Sequence, residues 1–336
     1  MKQYRVAIVG ATGAVGAEML QVLESRNFPI SELIPLASER SVGKTIVFRG
    51  ESIPVQLLSK GAFRGVDIGL FSAGASRSLE FGPVANEAGA VVIDNSSAFR
   101  MVPQVPLVVP EVNSHVLGTH SGIVANPNCA AIILCMAVAP LRQLAEIRRL
   151  VVSTYQSTSG AGAMAMQELL DQTAGYLAGN EPTPAVFKWP IAFNLFSHNT
   201  KILPNGYNDE ENKVMAETRK ILEMPHLKIT ATCVRVSTLR AHCESINVEF
   251  DRVVEEEQVR VAIRNFPGVR LQDDRDNNHF PMPREAAFQD DVFVGRIRRD
   301  LGFPEAIDMF VSGDQLRKGA ALNAVQIAEQ LFVAGS

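Results

Sequence analysis

One cysteine stands where its thiol would be activated. Cys129 follows Asn126-Pro127-Asn128 and precedes the apolar run Ala130–Ile133. Pro127 disfavours helix at Asn126, and Asn128 is of a type that commonly begins helices. The thiol is therefore predicted on the first turn of a helix, where the dipole and unpaired N–H groups favour the nucleophilic thiolate. Because most cysteines are merely small buried apolar residues, this interpretation depends on the other groups described below.

A glycine-rich loop near the amino terminus predicts dinucleotide binding. Gly10, Gly13 and Gly16 have the spacing G-x-x-G-x-x-G, after a predicted strand at 4–9 and before a predicted helix at 17–24. In that context the glycines let the backbone approach a pyrophosphate, whose charge lies at the helix N-terminus. Glycine spacing alone is also compatible with a tight turn that binds nothing.

The end of the second predicted strand distinguishes the two nicotinamide coenzymes. An NAD site would place Asp or Glu there to bind the ribose 2′-hydroxyl. This chain has Arg40 with the hydroxyls of Ser38 and Ser41, which suit a 2′-phosphate. We expect the neighbouring Glu39 to point to solvent, and the predicted cofactor is therefore NADP.

Two predicted strands carry charged or titratable side chains on their apolar faces. Arg235 shares a face of strand 228–236 with apolar residues, so it is either unfavourably buried or faces an anion such as a carboxylate. His242 begins the apolar face of strand 242–250. Such a histidine is often only a core residue, but its proximity in sequence to Arg235 favours a catalytic role. Gln156 precedes a turn of small residues and could orient a carbonyl group.

The order of elements predicts two domains. Alternating strands and helices over roughly the first 125 residues favour an α/β fold with a Rossmann-like, doubly wound parallel sheet. Longer alternating strands after residue 146 favour an α+β domain on a mixed sheet. A helix over Leu316–Phe332 with one apolar stripe is expected to pack on the first domain. The predicted domains are 1–127 with 316–336 for NADP binding, and 128–315 for catalysis and dimerisation.

Composition excludes several classes of function. The net charge of −4 gives no electrostatic reason to expect nucleic acid or an anionic membrane as a partner. The longest apolar run, Ala130–Leu141, is too short to span a bilayer. Four irregularly spaced cysteines indicate neither a disulfide framework nor a metal site. We expect a cytoplasmic enzyme with a small-molecule substrate.

Taken in order, the motifs resemble the aspartate-β-semialdehyde dehydrogenase family, in its shorter bacterial form, over essentially the whole chain. They are Gly10–Gly16, Ala37–Lys44, Asp94–Arg100, Asn126–Cys129, Tyr155–Gly162, Glu210–Lys213, Cys233–Glu244 and Ser312–Ala321. The resemblance implies reductive dephosphorylation of aspartyl β-phosphate by NADPH, which gives aspartate semialdehyde and phosphate. It also implies a role in biosynthesis of lysine, diaminopimelate, threonine, methionine and isoleucine.

The resemblance also implies roles for individual residues. Cys129 would form an acyl-thioester, His242 would act as general acid and base, and Gln156 would orient the substrate. Arg235 would hold the α-carboxylate, with Glu210 near the ammonium group. Arg100 and Lys213 would bind the phosphate, with Asn128 close by. The residues implied for NADP are Thr12, Gly13, Ala14, Val15, Arg40, Ser41, Ser159, Gly160 and, towards the nicotinamide, Gln315. We expect the pKa of His242 to lie near neutrality, so that the imidazole serves proton transfer in both directions.

Three positions depart from the family pattern. Ala130-Ala131 replaces the usual Ser-Thr after the nucleophile, Ser237 replaces Pro, and Gln315 replaces Asn. Two other functions stay open: an N-acetyl-glutamyl-phosphate reductase and an inactive NADP-binding paralogue. A carboxylate at Glu210 or Glu211 suits a free ammonium group and so favours the aspartyl substrate. The inactive form would have lost its nucleophile or base, whereas both are present.

One apolar segment predicts self-association. Residues 187–196 gather four aromatic side chains around Pro190. Such a patch either covers its own domain or marks a partner surface, and identical partners are the commonest kind. Because members of the family pair through the second domain, we expect a homodimer with the two active sites near the interface.

Overall fold

The computed structural model describes residues 2–333, which divide into two compact units. The first contains the chain up to Asn128 and again from Ala320, and the second contains Cys129–Gly319. These splits lie beside the predicted boundaries at 127 and 315. Among the described residues, no helix is long and apolar enough to cross a membrane.

The first unit is built on a parallel sheet. The strands of this unit are β1 (Tyr4–Val9), β2 (Ile30–Ala37), β3 (Thr45–Phe48), β4 (Glu51–Pro54), β5 (Gln56–Leu57), β6 (Ile68–Phe71), β7 (Val91–Asp94) and β8 (Ile123–Ala125). The helices that precede the second unit are α1 (Ala14–Ser25), α2 (Ala75–Glu87) and α3 (Pro110–Asn113). Within residues 2–333, six strands form the sheet in the order β5-β2-β1-β6-β7-β8, all pairs parallel. The residues Val6–Val9 are fully buried on both faces, as parallel interior strands require.

The second unit is built on a mixed sheet. Its strands are β9 (Ile147–Gln156), β10 (Leu195–Ser197), β11 (Lys228–Val236), β12 (His242–Phe250), β13 (Val269–Leu271), β14 (Val292–Arg299) and β15 (Ala306–Gly313), and its helices are α4 (Cys129–Val138), α5 (Ala163–Leu177), α6 (Asp209–Ile221), α7 (Glu256–Arg264) and α8 (Pro283–Ala286). The strand order in the described part of the chain is β10-β11-β9-β12-β15-β14-β13, with parallel pairs β11–β9 and β13–β14. The other pairs are antiparallel. The predicted fold class, a doubly wound parallel sheet with an α+β mixed-sheet domain, is confirmed.

The last helix, α9 (Leu322–Phe332), returns to the first unit. Its residues Ala324, Val325 and Ile327 are fully buried in the core formed with β1 and α1. The predicted start at Leu316 is wrong, since residues Arg317–Ala321 form a π-helical turn. The carboxylate of Asp314 accepts hydrogen bonds from the backbone N–H groups of Leu316 and Arg317, so the chain enters the turn from a fixed loop rather than a regular helix.

Candidate active site

Three strand ends of the mixed sheet meet at one edge. Gln156 ends β9, and the parallel register sets it opposite Arg235 on β11. β12 runs antiparallel to β9, so its first residue, His242, lies at the same edge. All three side chains are buried, as the alternation of apolar residues on β11 and β12 predicts. The sheet register thus gathers the predicted catalytic and carboxylate-binding residues.

Cys129 is the first residue of α4, as predicted. It is half-buried, whereas every other residue of the helix is buried. A Cβ on Gly319 would lie 3.0 Å from the Cβ of Cys129, so glycine allows the close approach of that turn. A negative charge on Cys129 raises the pKa of Arg235, although burial has the larger effect and lowers it. The thiol therefore lies within electrostatic reach of the guanidinium group.

His242 is held through its Nδ1 atom. The backbone N–H of Ser157 donates to Nδ1 at 3.0 Å, so the ring is neutral and its proton is on Nε2. Among the described residues, the buried Nε2 has no hydrogen-bond partner. A Cβ on Gly160 would lie 3.1 Å from it, so glycine allows the backbone to pack closely against the ring. Burial, and next the charge of Arg235, hold the pKa of His242 well below 6.5, so the expectation of a pKa near neutrality is wrong.

Arg235 is held by neighbours that the sequence did not single out. Its Nη1 donates to the carbonyl oxygen of Ser157 at 2.6 Å, and its Nη2 lies 2.7 Å from Nε2 of His198. Nε of Arg235 is buried and has no hydrogen-bond partner among the described residues. Burial lowers the pKa of His198 to about 4, so its neutral imidazole accepts the hydrogen bond from Arg235. The guanidinium is thus held through its two Nη atoms, and its Nε–H is left as a donor for an anion.

Gln156 and Glu210 form a polar pair. Nε2 of Gln156 donates to Oε1 of Glu210 at 2.9 Å, and the hydroxyl of Thr154 lies 3.2 Å from Oε1 of Gln156. The amide is therefore oriented from both ends. Glu210 is buried in the first turn of α6, which begins with a capping box at Asn208.

The predicted phosphate-binding residues belong to different units. Arg100 is buried in the first unit and donates to the carbonyl oxygens of Asn95 and Asn126. Lys213 lies on α6 of the second unit, where its Nζ is 2.5 Å from the carboxylate of Asp209. Asn128 is buried directly before α4.

A cavity of about 750 Å³ opens above the carboxyl ends of the parallel strands. It is lined by Gly10, Thr12, Gly13, Ala37, Ser38, Glu39, Arg40, Leu57, Leu58, Ser72, Ala73, Arg77 and Phe81. It thus brings together five of the predicted cofactor residues: Gly10, Thr12, Gly13, Ser38 and Arg40. Such crevices are where doubly wound sheets bind dinucleotides.

Two glycines of the loop are required by close packing within the first unit. Gly10 has φ of +89°, and a Cβ there would lie 2.5 Å from the carbonyl oxygen of Ser72. A Cβ on Gly16 would overlap the carbonyl oxygen of Gly10, so this glycine lets α1 pack against the loop. Ala14 and Val15 begin α1, directly after the loop. Ser41 does not line the cavity, but its hydroxyl lies 3.2 Å from that of Thr12.

Three predicted cofactor residues lie in the second unit instead. Nε2 of Gln315 donates to the hydroxyl of Ser159, and Gly160 follows in the same turn. Oε1 of Gln315 accepts the backbone N–H of Ala241 at 2.9 Å. Within this unit, these residues therefore lie near His242. Among residues 2–333, no three His, Cys, Asp or Glu side chains come together as a metal site.

Sequence reasoning missed Arg77 and His198. Arg77 lies in the first turn of α2, after the strand-to-helix turn that follows β6, and this context could have indicated it. His198 directly follows β10, in the irregular segment before α6, where no spacing rule links it to Arg235.

The chain is similar to known proteins over nearly its whole length. Residues 5–120 match the family model described as "Semialdehyde dehydrogenase, NAD binding domain", and residues 138–318 match "Semialdehyde dehydrogenase, dimerisation domain". The chain is 54% identical to an aspartate-semialdehyde dehydrogenase of Synechocystis sp., with 98% of each chain covered. It is 50% identical to that of Aquifex aeolicus, with 99% of each covered.

A solved structure gives the same result. Aspartate semialdehyde dehydrogenase II of Vibrio cholerae, in complex with ASA, superposes with a TM-score of 0.96 at 44% identity, covering 98% of both chains. The first unit is thus a nicotinamide-cofactor domain of the semialdehyde dehydrogenase type. The chain belongs to the aspartate-semialdehyde dehydrogenase family.

Proposed function

We propose that this chain catalyses the NADPH-dependent reductive dephosphorylation of L-aspartyl 4-phosphate to L-aspartate 4-semialdehyde and phosphate. The observation that carries the proposal is the grouping of Cys129, Arg235 and His242 within the second unit, with the thiol at a helix start. The names of the relatives supply the substrate class. The product would serve biosynthesis of lysine, diaminopimelate, threonine, methionine and isoleucine.

The reaction would pass through a thioester on Cys129. Its thiolate attacks the acyl carbon, a C–S bond forms, and the C–O bond to phosphate breaks so that phosphate leaves with the electron pair. NADPH, when bound, supplies the hydride that reduces this thioester. Collapse of the resulting thiohemiacetal breaks the C–S bond and returns Cys129 as thiolate. An acyl phosphate needs a soft nucleophile, and a thioester accepts hydride more readily than a carboxylate.

His242 would manage the proton at the reacting oxygen. Its Nε2–H, which has no hydrogen-bond partner among the described residues, would donate a hydrogen bond to the oxygen that gains negative charge during reduction. In the reverse direction, a ring whose proton is on Nδ1 would take the proton of the thiohemiacetal hydroxyl on Nε2.

The remaining polar groups suit the two ends of an aspartyl group. Nε of Arg235 is a buried donor without a partner, which suits the α-carboxylate. Glu210 would attract the ammonium group, while Gln156 orients the substrate. Arg100 and Lys213, with Asn128, would offset the charge of the leaving phosphate.

We also propose NADP as the coenzyme. The cavity of the first unit offers Arg40 and the hydroxyl of Ser38, with Ser41 beside Thr12, and Gly10 and Gly13 of the glycine loop line it. Glu39 also lines the cavity and is exposed to solvent. Arg77 adds a second guanidinium to the lining. The charge-assisted contacts of Arg40 favour the 2′-phosphate.

The deciding assay follows phosphate-dependent NADPH formation from aspartate semialdehyde, beside N-acetylglutamate semialdehyde. We expect turnover only with the first substrate and only when phosphate is added. Preference for the acetylated substrate would support the reductase, and no turnover with either would support an inactive paralogue. Repeating the assay with NAD tests the coenzyme.

We further propose a homodimer formed by the second unit. Part of segment 187–196 covers its own unit, because Phe187 and Ile191 pack against Leu169 of α5. Trp189 and Phe193, however, are 55% and 64% exposed. This mixed burial supports a partner surface beside a self-packing anchor. Light scattering at micromolar concentration should give twice the chain mass, and a monomeric mass would refute the dimer.

A further inference from the structure

One turn of α5 carries two buried polar side chains, Glu168 and Gln172, which share a face of the helix because they are four residues apart. The two carboxylate oxygens of Glu168 accept the backbone N–H groups of three consecutive residues, Ala185 at 3.0 Å, Val186 at 2.6 Å and Phe187 at 3.2 Å. Nε2 of Gln172 donates to the same carboxylate at 2.8 Å. All four of these hydrogen bonds come from donors, as an ionised carboxylate requires.

Gln172 holds the next part of the same segment. Its Oε1 accepts the backbone N–H groups of Ile191 at 2.8 Å and Ala192 at 3.1 Å, and its Nε2 also donates to the carbonyl oxygen of Thr183 at 3.2 Å. Segment 183–192 contains no helix or strand, so these backbone groups have no partners in a regular element. A carboxylate and an amide on one helix turn thus fix the course of an irregular segment.

This segment places Phe187 against the guanidinium group of Arg235. Phe187 is buried, and its ring centroid lies 5.6 Å from Cζ of Arg235, within the range of a cation–π contact. The ring also meets Phe196, which lies opposite Arg235 in the β10–β11 register, with the two aromatic centroids 5.8 Å apart. Burial lowers the pKa of Arg235 and so disfavours its charge. The negative face of an aromatic ring offsets part of that cost.

We infer that Glu168 is a positioning residue for binding of the substrate α-carboxylate, because it fixes the backbone of Phe187 and, through that ring, the guanidinium of Arg235. The N–H of Phe187 is itself a donor to Glu168, so loss of the Glu168 carboxylate releases the ring directly. The two Nη atoms of Arg235 contact Ser157 and His198, and the ring of Phe187 adds a third contact. Together these contacts hold Nε–H in one direction. The inference rests on the proposed function, in which Arg235 binds the α-carboxylate.

The test compares Glu168→Gln, Phe187→Leu and the double variant, with Asp171→Asn as the matched control. Glu168→Gln keeps the length of the side chain but turns one accepting oxygen into a donor that faces backbone N–H groups. Phe187→Leu removes the ring but keeps an apolar side chain in the cluster that packs on α5. Asp171→Asn makes the same chemical change as Glu168→Gln on the same helix, at an exposed carboxylate that accepts from the exposed Gln167.

The kinetic readout is semialdehyde oxidation with phosphate and NADP. In Glu168→Gln and in Phe187→Leu we expect KM for aspartate semialdehyde to rise roughly 3- to 30-fold, the range for losing a cation–π contact. The kcat and the KM for phosphate should stay within about twofold, since a contact made equally in the bound substrate and the transition state affects KM alone. Because both changes act on one contact, the double variant should resemble Phe187→Leu instead of multiplying the two effects. Asp171→Asn should match the native enzyme.

Hydrogen exchange followed by mass spectrometry gives a readout without turnover. Peptides that cover residues 184–188 should exchange faster in Glu168→Gln than in the native protein or in Asp171→Asn, because their N–H groups lose the carboxylate. If Glu168→Gln does not fold, Glu168→Asp, which keeps the charge on a shorter side chain, replaces it in both measurements.

Three results would overturn the inference: unchanged exchange, a KM for aspartate semialdehyde that stays native, or effects that multiply in the double variant. A loss of kcat with native KM would overturn it as well. Failure of the proposed function would instead appear in the native protein, as no turnover of aspartate semialdehyde.

Discussion

Acid should destabilise this protein through His198. The imidazole is buried, and burial with the charge of Arg235 lowers its pKa to about 4, although Glu210 acts in the opposite direction. In the unfolded chain the pKa returns to about 6.5. Between these two values the unfolded chain binds a proton that the folded protein does not. The free energy of unfolding must therefore fall as pH decreases from 6.5 towards 4.

The magnitude follows from the difference in pKa. A separation of about 2.5 units at about 1.36 kcal/mol per unit gives roughly 3 kcal/mol when the loss is complete. At pH 4.5 the loss is already about 2.5 kcal/mol, since the folded-state group is still mostly neutral there. That is a large share of the 5–15 kcal/mol by which proteins are typically stable.

The variant His198→Gln removes the titration and keeps an acceptor for Arg235. Urea unfolding followed by circular dichroism, at steps from pH 7 to pH 4.5, should show a smaller acid loss in the variant, by about 2.5 kcal/mol at pH 4.5. His226→Gln, at an exposed histidine, is the control and should parallel the native protein. Parallel curves for the native protein and His198→Gln would refute the reasoning.

Two further changes test the first unit. Arg40→Ala should reduce the preference for NADP over NAD, measured as the ratio of the two kcat/KM values, by roughly 10- to 150-fold, because the lost contact is worth about 1.5–3 kcal/mol. An unchanged ratio would show that Arg40 does not contact the 2′-phosphate. Gly10→Ala should lower the free energy of unfolding by about 1–3 kcal/mol and weaken coenzyme binding, because φ is +89° and the added Cβ meets the carbonyl oxygen of Ser72. Thermal unfolding measures the first effect and coenzyme titration the second. Native values for both would contradict the close approach of Gly10 to Ser72.

Much of this fold could be predicted because the sequence patterns are local. The strands β1, β11 and β12 have the predicted bounds. The burial of Arg235 and His242 follows from alternation along their strands. Cys129 at a helix start follows from Pro127 and Asn128. In each case a rule about neighbours in sequence determines the side chain's position.

The features that could not be predicted depend on contacts distant in sequence. His198 reaches Arg235 from an irregular loop, and Arg77 reaches the cavity from α2. The low pKa of His242 arises from complete burial and from Arg235, neither of which its own strand reveals. The late start of α9 reflects the side chain of Asp314 bonding the backbone ahead of the helix. The pattern of apolar residues carries no information about such contacts.

The central claim is that Cys129 carries an acyl-thioester. Mixing the enzyme with aspartate semialdehyde and NADP without phosphate should form about one NADPH per active site and then stop, because the acyl group stays on the enzyme. Peptide mass spectrometry should locate that group on Cys129, and added phosphate should release it and restore turnover. Cys129→Ala should give no burst. A burst that persists in Cys129→Ala, or an acyl group on any other residue, would contradict the account.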